Sequence, residues 1–329
     1  MSTTELTREF DCFGSRCAVI LSGETPERSA IEAVDFAEQS LLSWHQSFSR
    51  FIPDSELSRL NSDPRREVPV TPLMARFALA VLEAATMTGG LIDATLLEEV
   101  ESAGYESDLA RGVALRKLLD MAPARSAAAG HTSARWRELD VDLVSNTVIR
   151  PPGLKLDSGG LAKGLFADVL AEALEGHSAF AINCAGDLRI GGSKALERSV
   201  KVESPFDGST LHTFELARTG VATSGIGRRS WIDRDGRPAH HLLDPATGRP
   251  AFTGIVQVTA LAPSALLAEI HAKAAILSGP RLAPARLPHG GVIVFDDGTH
   301  QVIAPPPVIS LSALSAFAQR PGSLALHAE

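Results

Sequence analysis

Two hydrophobic rhythms alternate along this chain. Where apolar residues recur every three to four positions, the pattern predicts helices. Ile31, Val34, Ala37, Leu41 and Trp44 form one such stripe, with Thr25-Pro26-Glu27 supplying a cap and a first-turn proline. Thr71-Pro72 opens a second helix, with Met74, Phe77, Val81, Leu82 and Ala85 facing inward and Gly89-Gly90 closing it. Ser264 caps a third, which carries Leu266, Leu267, Ile270, Ala274 and Leu277 to about Ser278, where Gly279 stops it. Between these helices, apolar residues follow one another or alternate, as strands require. Residues 9 to 21 read as a strand pair broken at Phe13-Gly14-Ser15. Ala179 to Asn183 is a strand ending in the turn Cys184-Ala185-Gly186-Asp187. Residues 199 to 223 give three strands, Ile255 to Ala260 another, and Gly291 to Phe295 a last one turning at Asp296-Asp297-Gly298.

The stretch from Leu154 to Gly176 combines an extended piece, a bend at Ser158-Gly159-Gly160 and a helix with Leu161, Leu165, Phe166, Val169, Leu170 and Leu174 on one face. A helix that begins beside two glycines lets a ligand approach its backbone, and its free N–H groups favour an anion. Lys163 stands in the first turn, where the helix dipole disfavours a cation unless a phosphate or carboxylate is near. The alternative is a tight turn with a lysine facing solvent.

Other segments carry polar groups in suggestive places. Phe48 to Asn61 is an extended piece followed by a short helix capped by Asp54 or Ser55, with Asn61 suited to a left-handed end. Leu91-Ile92-Asp93-Ala94-Thr95 sets an acid and a hydroxyl on one side of an extended backbone, an arrangement that also suits local bonding in a turn. Residues 123 to 134 form a surface loop, with strand-like segments resuming at Trp136. Arg228 and Arg229 are either a solvated pair or a phosphate contact. In His240-His241-Leu242-Leu243-Asp244-Pro245, neighbouring strand residues face opposite ways, so one histidine at most faces a given site. Asp244 starts a proline turn and can also orient an imidazole. Glu269 and Lys273 sit one helical turn apart, the favoured order for a solvated ion pair.

Composition narrows the class of protein. At 329 residues with 44% apolar side chains, the chain can bury a sizeable core. A net charge of −8 argues against a general nucleic-acid or membrane-surface binder. Cys12, Cys17 and Cys184 have no metal-ligand spacing and leave one thiol unpaired, which suits a reduced cytoplasm. The first ten residues are polar, and no run is long and apolar enough to insert into a bilayer.

Taken in order, these pieces resemble the ApbE-type FAD:protein FMN transferase family over roughly residues 9 to 300. Phe13-Gly14-Ser15 resembles the opening Met-Gly-Thr of that family, and Ser49 to Asn61 resembles its Ser-x-Phe segment ending in Leu-Asn. Leu91 to Thr95 is similar to Phe-Asp-x-Thr, and Leu156 to Gly164 matches Leu-Asp-x-Gly-Gly-x-Ala-Lys-Gly. Ala185-Gly186-Asp187, Thr223-Ser224-Gly225 and His241 to Gly248 complete the series. The resemblance implies an α+β fold, a single domain of mainly antiparallel sheets with packed helices over residues 1–304, followed by a C-terminal extension at 305–329. It implies an enzyme that cleaves FAD at the pyrophosphate and attaches FMN through a phosphoester to a Ser or Thr hydroxyl of an acceptor protein, releasing AMP. FAD hydrolysis to FMN and AMP, and FAD binding without turnover, are the other two readings.

Residue by residue, the resemblance implies that Phe13 and Phe51 flank the flavin or adenine, with Leu91, Ile92 and Asp93 in the same pocket. Asp157, Gly160 and Lys163 lie along the ribose and pyrophosphate, the Gly160 carbonyl facing a metal. His241 is the catalytic residue near the reacting phosphate, and Leu242 packs on the cofactor. The family's magnesium ligands, an Asp and a Thr, correspond to Glu269 and Lys273. A protonated lysine has no lone pair for a metal. Either magnesium is held differently, with Glu269 still a ligand, or the Lys273 ammonium takes part of its place. The family's acid or Tyr after Thr-Ser-Gly is also replaced, by Ile226 and Gly227.

Overall fold

The computed structural model describes residues 5–105, 112–132, 134–194 and 196–306. Its main sheet has eight strands: β1 (Leu6–Cys12), β2 (Ser15–Ser22), β3 (Ala179–Cys184), β4 (Asp187–Gly191), β5 (Gly220–Gly225), β6 (Ile255–Ala262), β7 (Gly291–Phe295) and β8 (His300–Ile303). They lie side by side in chain order, and every pairing is antiparallel. Two-residue turns make two of these seven reversals cheap. At the first, Phe13 (φ 56°) and Gly14 (φ 68°) both take positive φ, as a tight hairpin requires. Ala185 (φ 54°) and Gly186 (φ 104°) repeat the device between β3 and β4.

The long excursion between β2 and β3 holds five helices: α1 (Ala30–Phe48), α2 (Glu56–Ser62), α3 (Pro72–Thr88), α4 (Leu97–Ser102), α5 (Leu115–Asp120), together with α6 (Ala162–Leu174), which leads into β3. After β6 comes α7 (Ala265–Leu282). Helix α1 packs on β1 and β2, α6 on β3 and β4, and α7 across β5 and β6 against α6. The core therefore lies between one sheet face and this helical layer. Phe166, Phe180, Leu21, Val258 and Ile276 are fully buried there. Burying each such side chain contributes roughly 1.5–3 kcal/mol before chain entropy is subtracted.

Most expected elements form where the periodicity places them, and the differences have local causes. Helix α1 starts at Ala30, not at Thr25-Pro26, because Ser29 and Glu32 make a reciprocal capping box. Thr25 instead closes a turn onto Arg28. Ile31, expected inward, is 57% exposed, while Ala33 takes the buried place. Ser55, of the two caps offered, accepts from the Ser58 N–H. Asn61 is not a left-handed end but a helical residue whose amide clamps Leu156 through both its N–H and its carbonyl, at 2.8 and 2.9 Å. Trp136 lies in a short 3₁₀ turn (Arg135–Glu138), and the strand follows at Asp140–Asp142. The loop before it is tied down, with the Ala128 N–H donating to the Leu277 carbonyl. Helix α7 loses helical geometry at Gly279 (φ 72°, ψ 171°), as the sequence predicts. The weak helix expected after Ala304 lies outside the described residues.

Candidate active site

One cleft, at the end of the sheet where β1 turns into β2, gathers segments from across the chain. Its apolar end is built first by the hairpin turn. The positive φ of Phe13 holds its ring 5.7 Å from Phe166 and edge-on to His45. Positive φ in a bulky residue is strained, and the strain is held here by packing on both sides. Phe51 comes from the loop after α1, stacked by the Arg50 guanidinium, which also covers Tyr105 at 4.6 Å. Leu91, Ile92 and Leu242 line the same end.

The floor is the turn Asp157-Ser158-Gly159-Gly160. Three anchors fix it: the Asp157 N–H donates to the Ala94 carbonyl at 2.8 Å, Ser158 Oγ donates to the Phe48 carbonyl at 2.7 Å, and Arg50 stands 3.6 Å from the Asp157 carboxylate. Asp93 accepts from both the N–H and the hydroxyl of Thr95, so the pair bonds locally and still faces the cleft. Burial raises the Asp93 carboxyl above its ordinary pKa despite those two donors.

Another group of residues at the cleft is ionic. Lys163, in the first turn of α6, is not a solvent-facing residue: its ammonium pairs with Asp187 and with Glu269, at 3.2 Å from the latter. Two protein carboxylates thus supply the anion that the helix-start argument required. Lys273 joins the same cluster, 2.8 Å from Glu269, and both members of that pair are buried. It is no solvated helix pair. Burial alone would raise the Glu269 carboxyl, but Lys163 and Lys273 together hold it well below its ordinary value. Burial would likewise lower the Lys163 ammonium, but Asp187 and Glu269 hold it charged. At Lys273 burial outweighs Glu269, and its pKa falls.

His241 and Arg229 complete this group. A carbonyl can only accept, so the 3.3 Å contact from His241 Nδ1 to the Arg229 carbonyl places the proton on Nδ1 and leaves the Nε2 lone pair free. Burial, reinforced by the charges of Arg229 and Lys273, keeps the imidazole neutral far below its ordinary pKa. Asp244 does not orient it; that carboxylate accepts from Ala129, Ala246 and Thr247 instead. His240 points the other way, fully buried with its ring 4.7 Å from Phe252.

This burial predicts a pH dependence. His240 titrates at about 3 in the folded protein because burial penalises its charged form. In the unfolded chain an imidazole titrates near ~6.5. The unfolded state therefore binds the extra proton first, so stability is full above ~6.5 and is lost as pH falls toward ~3. Between pH ~7.5 and ~4.5 this one residue should remove about 2–3 kcal/mol. Urea unfolding of the wild type and His240→Phe at those two pH values checks it. An equal acid loss in both would show that His240 is not the cause.

Of the residues singled out from sequence, Phe13, Phe51, Leu91, Ile92, Asp93, Asp157, Gly160, Lys163, His241, Leu242 and Lys273 all line the cleft. Glu269 stands behind it, holding two of its lysines. Sequence reasoning missed Arg50 and Tyr105 and gave Asp187 no role. The signal for Asp187 was a lone acid directly after a strained turn. No three His, Cys, Asp or Glu side chains among the described residues are grouped to hold a metal ion. Glu269 in addition spends Oε1 on two ammonium groups and Oε2 on the Gly164 N–H. This donor set does not fit a divalent ion.

A cleft lined by aromatic rings and by cations, on a meandering antiparallel sheet backed by helices, defines an α+β protein suited to a ligand both planar and anionic. The chain belongs to the ApbE family, whose pattern matches residues 13–293. It is 27% identical to the FAD:protein FMN transferase of Escherichia coli K12, over 89% of this chain and 84% of that one. With the Salmonella typhimurium enzyme of the same name it shares 27% over 75% of this chain and 71% of that one. Its fold is that of the ApbE protein from Thermotoga maritima (TM-score 0.74, 22% identity, 91% of this chain and 97% of that one). The apo flavinyl transferase ApbE from Pseudomonas stutzeri superposes with a TM-score of 0.71 at 19% identity, over 92% and 95%.

Proposed function

We propose that this protein is an FAD:protein FMN transferase. The observation that carries the reading is His241: a neutral imidazole with its Nδ1 tied to a backbone carbonyl, in the same cleft as Lys163, Lys273 and Arg229. Attack by an alcohol on a phosphate needs a proton acceptor beside positive charge. FAD offers the matching shape, with rings for Phe13 and Phe51 and a diphosphate for the cations. Asp157 and the Gly159-Gly160 backbone line the same cleft, and the ribose and the first phosphate would run along them.

In the step we propose, a Ser or Thr hydroxyl of an acceptor protein attacks the FMN phosphorus. Its proton passes to His241 Nε2. The bond from phosphorus to the bridging oxygen breaks, and that oxygen keeps the electron pair as AMP leaves. The cations hold the charge that gathers on the phosphoryl oxygens. The chain's own side chains supply each of these roles.

Support for a cytoplasmic site of action comes from three free, buried thiols. No helix among the described residues is long and apolar enough to cross a membrane. Mass spectrometry tests the function. A candidate acceptor incubated with the protein and FAD should gain the mass of FMN less water, with one AMP released per modification. Free FMN and AMP with an unmodified acceptor would mean hydrolysis, and intact FAD would mean binding alone.

A further inference from the structure

Lys163, Lys273 and Arg229 together carry one positive charge more than the two carboxylates set against them. Glu269 and Asp187 already answer Lys163, and Glu269 is shared with Lys273 at 2.8 Å. The cluster thus sets two lysines against two carboxylates before Arg229 is added. The Arg229 side chain is half-buried in the cleft wall, and its charge pushes down the proton affinity of both Lys163 and His241. No carboxylate among the described residues pairs with its guanidinium. The stem of Lys273 crosses the glycine turn, its Cε 3.6 Å from where a Cβ on Gly160 would stand. Its ammonium therefore enters the cleft beside the backbone expected to meet a phosphate. A divalent ion approaching Glu269 would meet this ammonium within contact distance, with three donors already on the two carboxylate oxygens.

We propose that Lys273 and Arg229 are the counter-charges of the diphosphate in this chain, so that it binds FAD without a divalent metal ion. The proposal rests on the FAD reading above and replaces the metal site expected at Gly160 and Glu269. An ammonium and a guanidinium can both donate charge-assisted hydrogen bonds to phosphate oxygens, and the guanidinium can do so through two N–H groups at once. A hydroxyl at position 273 would instead offer a lone pair and leave Glu269 Oε1 less occupied, which favours a metal.

The test measures binding of FAD and of riboflavin by flavin fluorescence, once with chelator and once with millimolar magnesium. For the wild type, FAD affinity should agree within about twofold between the two conditions, as counter-charges fixed in the protein require. Lys273→Met keeps the packing of the stem. It should weaken FAD about 10- to 100-fold and riboflavin less than about twofold, as loss of a charged hydrogen bond predicts. Arg229→Gln should weaken FAD about tenfold by the same measure. Lys273→Thr should make FAD binding respond to magnesium. Wild-type FAD binding that disappears in chelator and returns with magnesium would overturn the proposal while leaving the FAD reading intact. Equal losses of FAD and riboflavin in both single variants would also overturn it. Failure of any flavin to bind the wild type under either condition overturns the FAD reading itself, and the wild-type arms need no variant to fold.

Discussion

Replacing His241 by alanine should lower the rate of FMN transfer by about 10²–10⁴, the range general base catalysis contributes, while FAD affinity changes by less than about twofold. The imidazole carries no charge for the diphosphate to lose, because burial and the neighbouring cations keep it neutral. What disappears is the Nε2 lone pair, held toward the cleft by the Nδ1 contact with the Arg229 carbonyl. Single-turnover transfer to a saturating acceptor separates this from binding. His241→Gln keeps a polar group but no base and should be nearly as slow as alanine. An unaffected rate in both variants would move the base to Asp93, whose raised pKa leaves it the other candidate in the cleft.

The second large effect is on Lys163. Lys163→Met should cost about 3–5 kcal/mol of folding stability, the usual loss when one partner of a buried ion pair is removed. Asp187 keeps only 2% of its side chain exposed and would lose its ammonium, while Glu269 would still have Lys273. Burial and the neighbouring charge of Glu269 already raise the Asp187 carboxyl. The variant should therefore recover part of its loss at mildly acid pH, where that carboxyl takes a proton. Lys163→Met combined with Asp187→Asn should restore more stability than either change predicts alone. Urea unfolding reads all three. A single variant as stable as wild type would mean that water or another cation already serves Asp187. FAD should also bind the variant less tightly, with riboflavin affected less, since the missing charge faces the phosphate end.

How much of this was legible in the sequence depended on distance along the chain. The glycine turn at 158–160 and the helix after it could be read from spacing alone, because caps, glycines and apolar periodicity are local. The stop at Gly279 was equally readable. The partners of Lys163 were not, since Asp187 and Glu269 arrive from the start of β4 and from α7. A lysine at a helix start calls for an anion, but the local sequence does not reveal that the protein supplies two. Asn61 misled for the opposite reason. Its left-handed propensity is an intrinsic preference, and a pair of hydrogen bonds to Leu156 outweighs it. Trp136 had the look of a strand residue, but the chain there is short and irregular, and nothing in its own spacing distinguishes a 3₁₀ turn. The ionic end of the cleft was recognisable as cationic from its lysines, and its unsuitability for a metal followed only once every oxygen of Glu269 had been accounted for.

The order of strands in the main sheet has a consequence for how the chain acquires its shape. Six of the seven pairings in the sheet close over a short or moderate stretch, but the pairing of β2 with β3 does not. Roughly 160 residues intervene, and closing a loop that long costs on the order of 4–5 kcal/mol in chain entropy before any contact rewards it. At a synthesis rate of about 10 residues per second, the first hairpin leaves the ribosome more than about 15 seconds ahead of its neighbour. During that interval the edge of β2, with Cys17, Val19 and Leu21 along it, has no strand beside it. Helix α1 packs on β1 and β2 and can shelter their apolar face early, but the hydrogen-bonding edge itself stays open. Joining of the amino-terminal hairpin to β3 should therefore be the slow event in refolding, and hydrogen exchange pulsed during refolding should find the amides shared by Ala18 and Asn183 protected last.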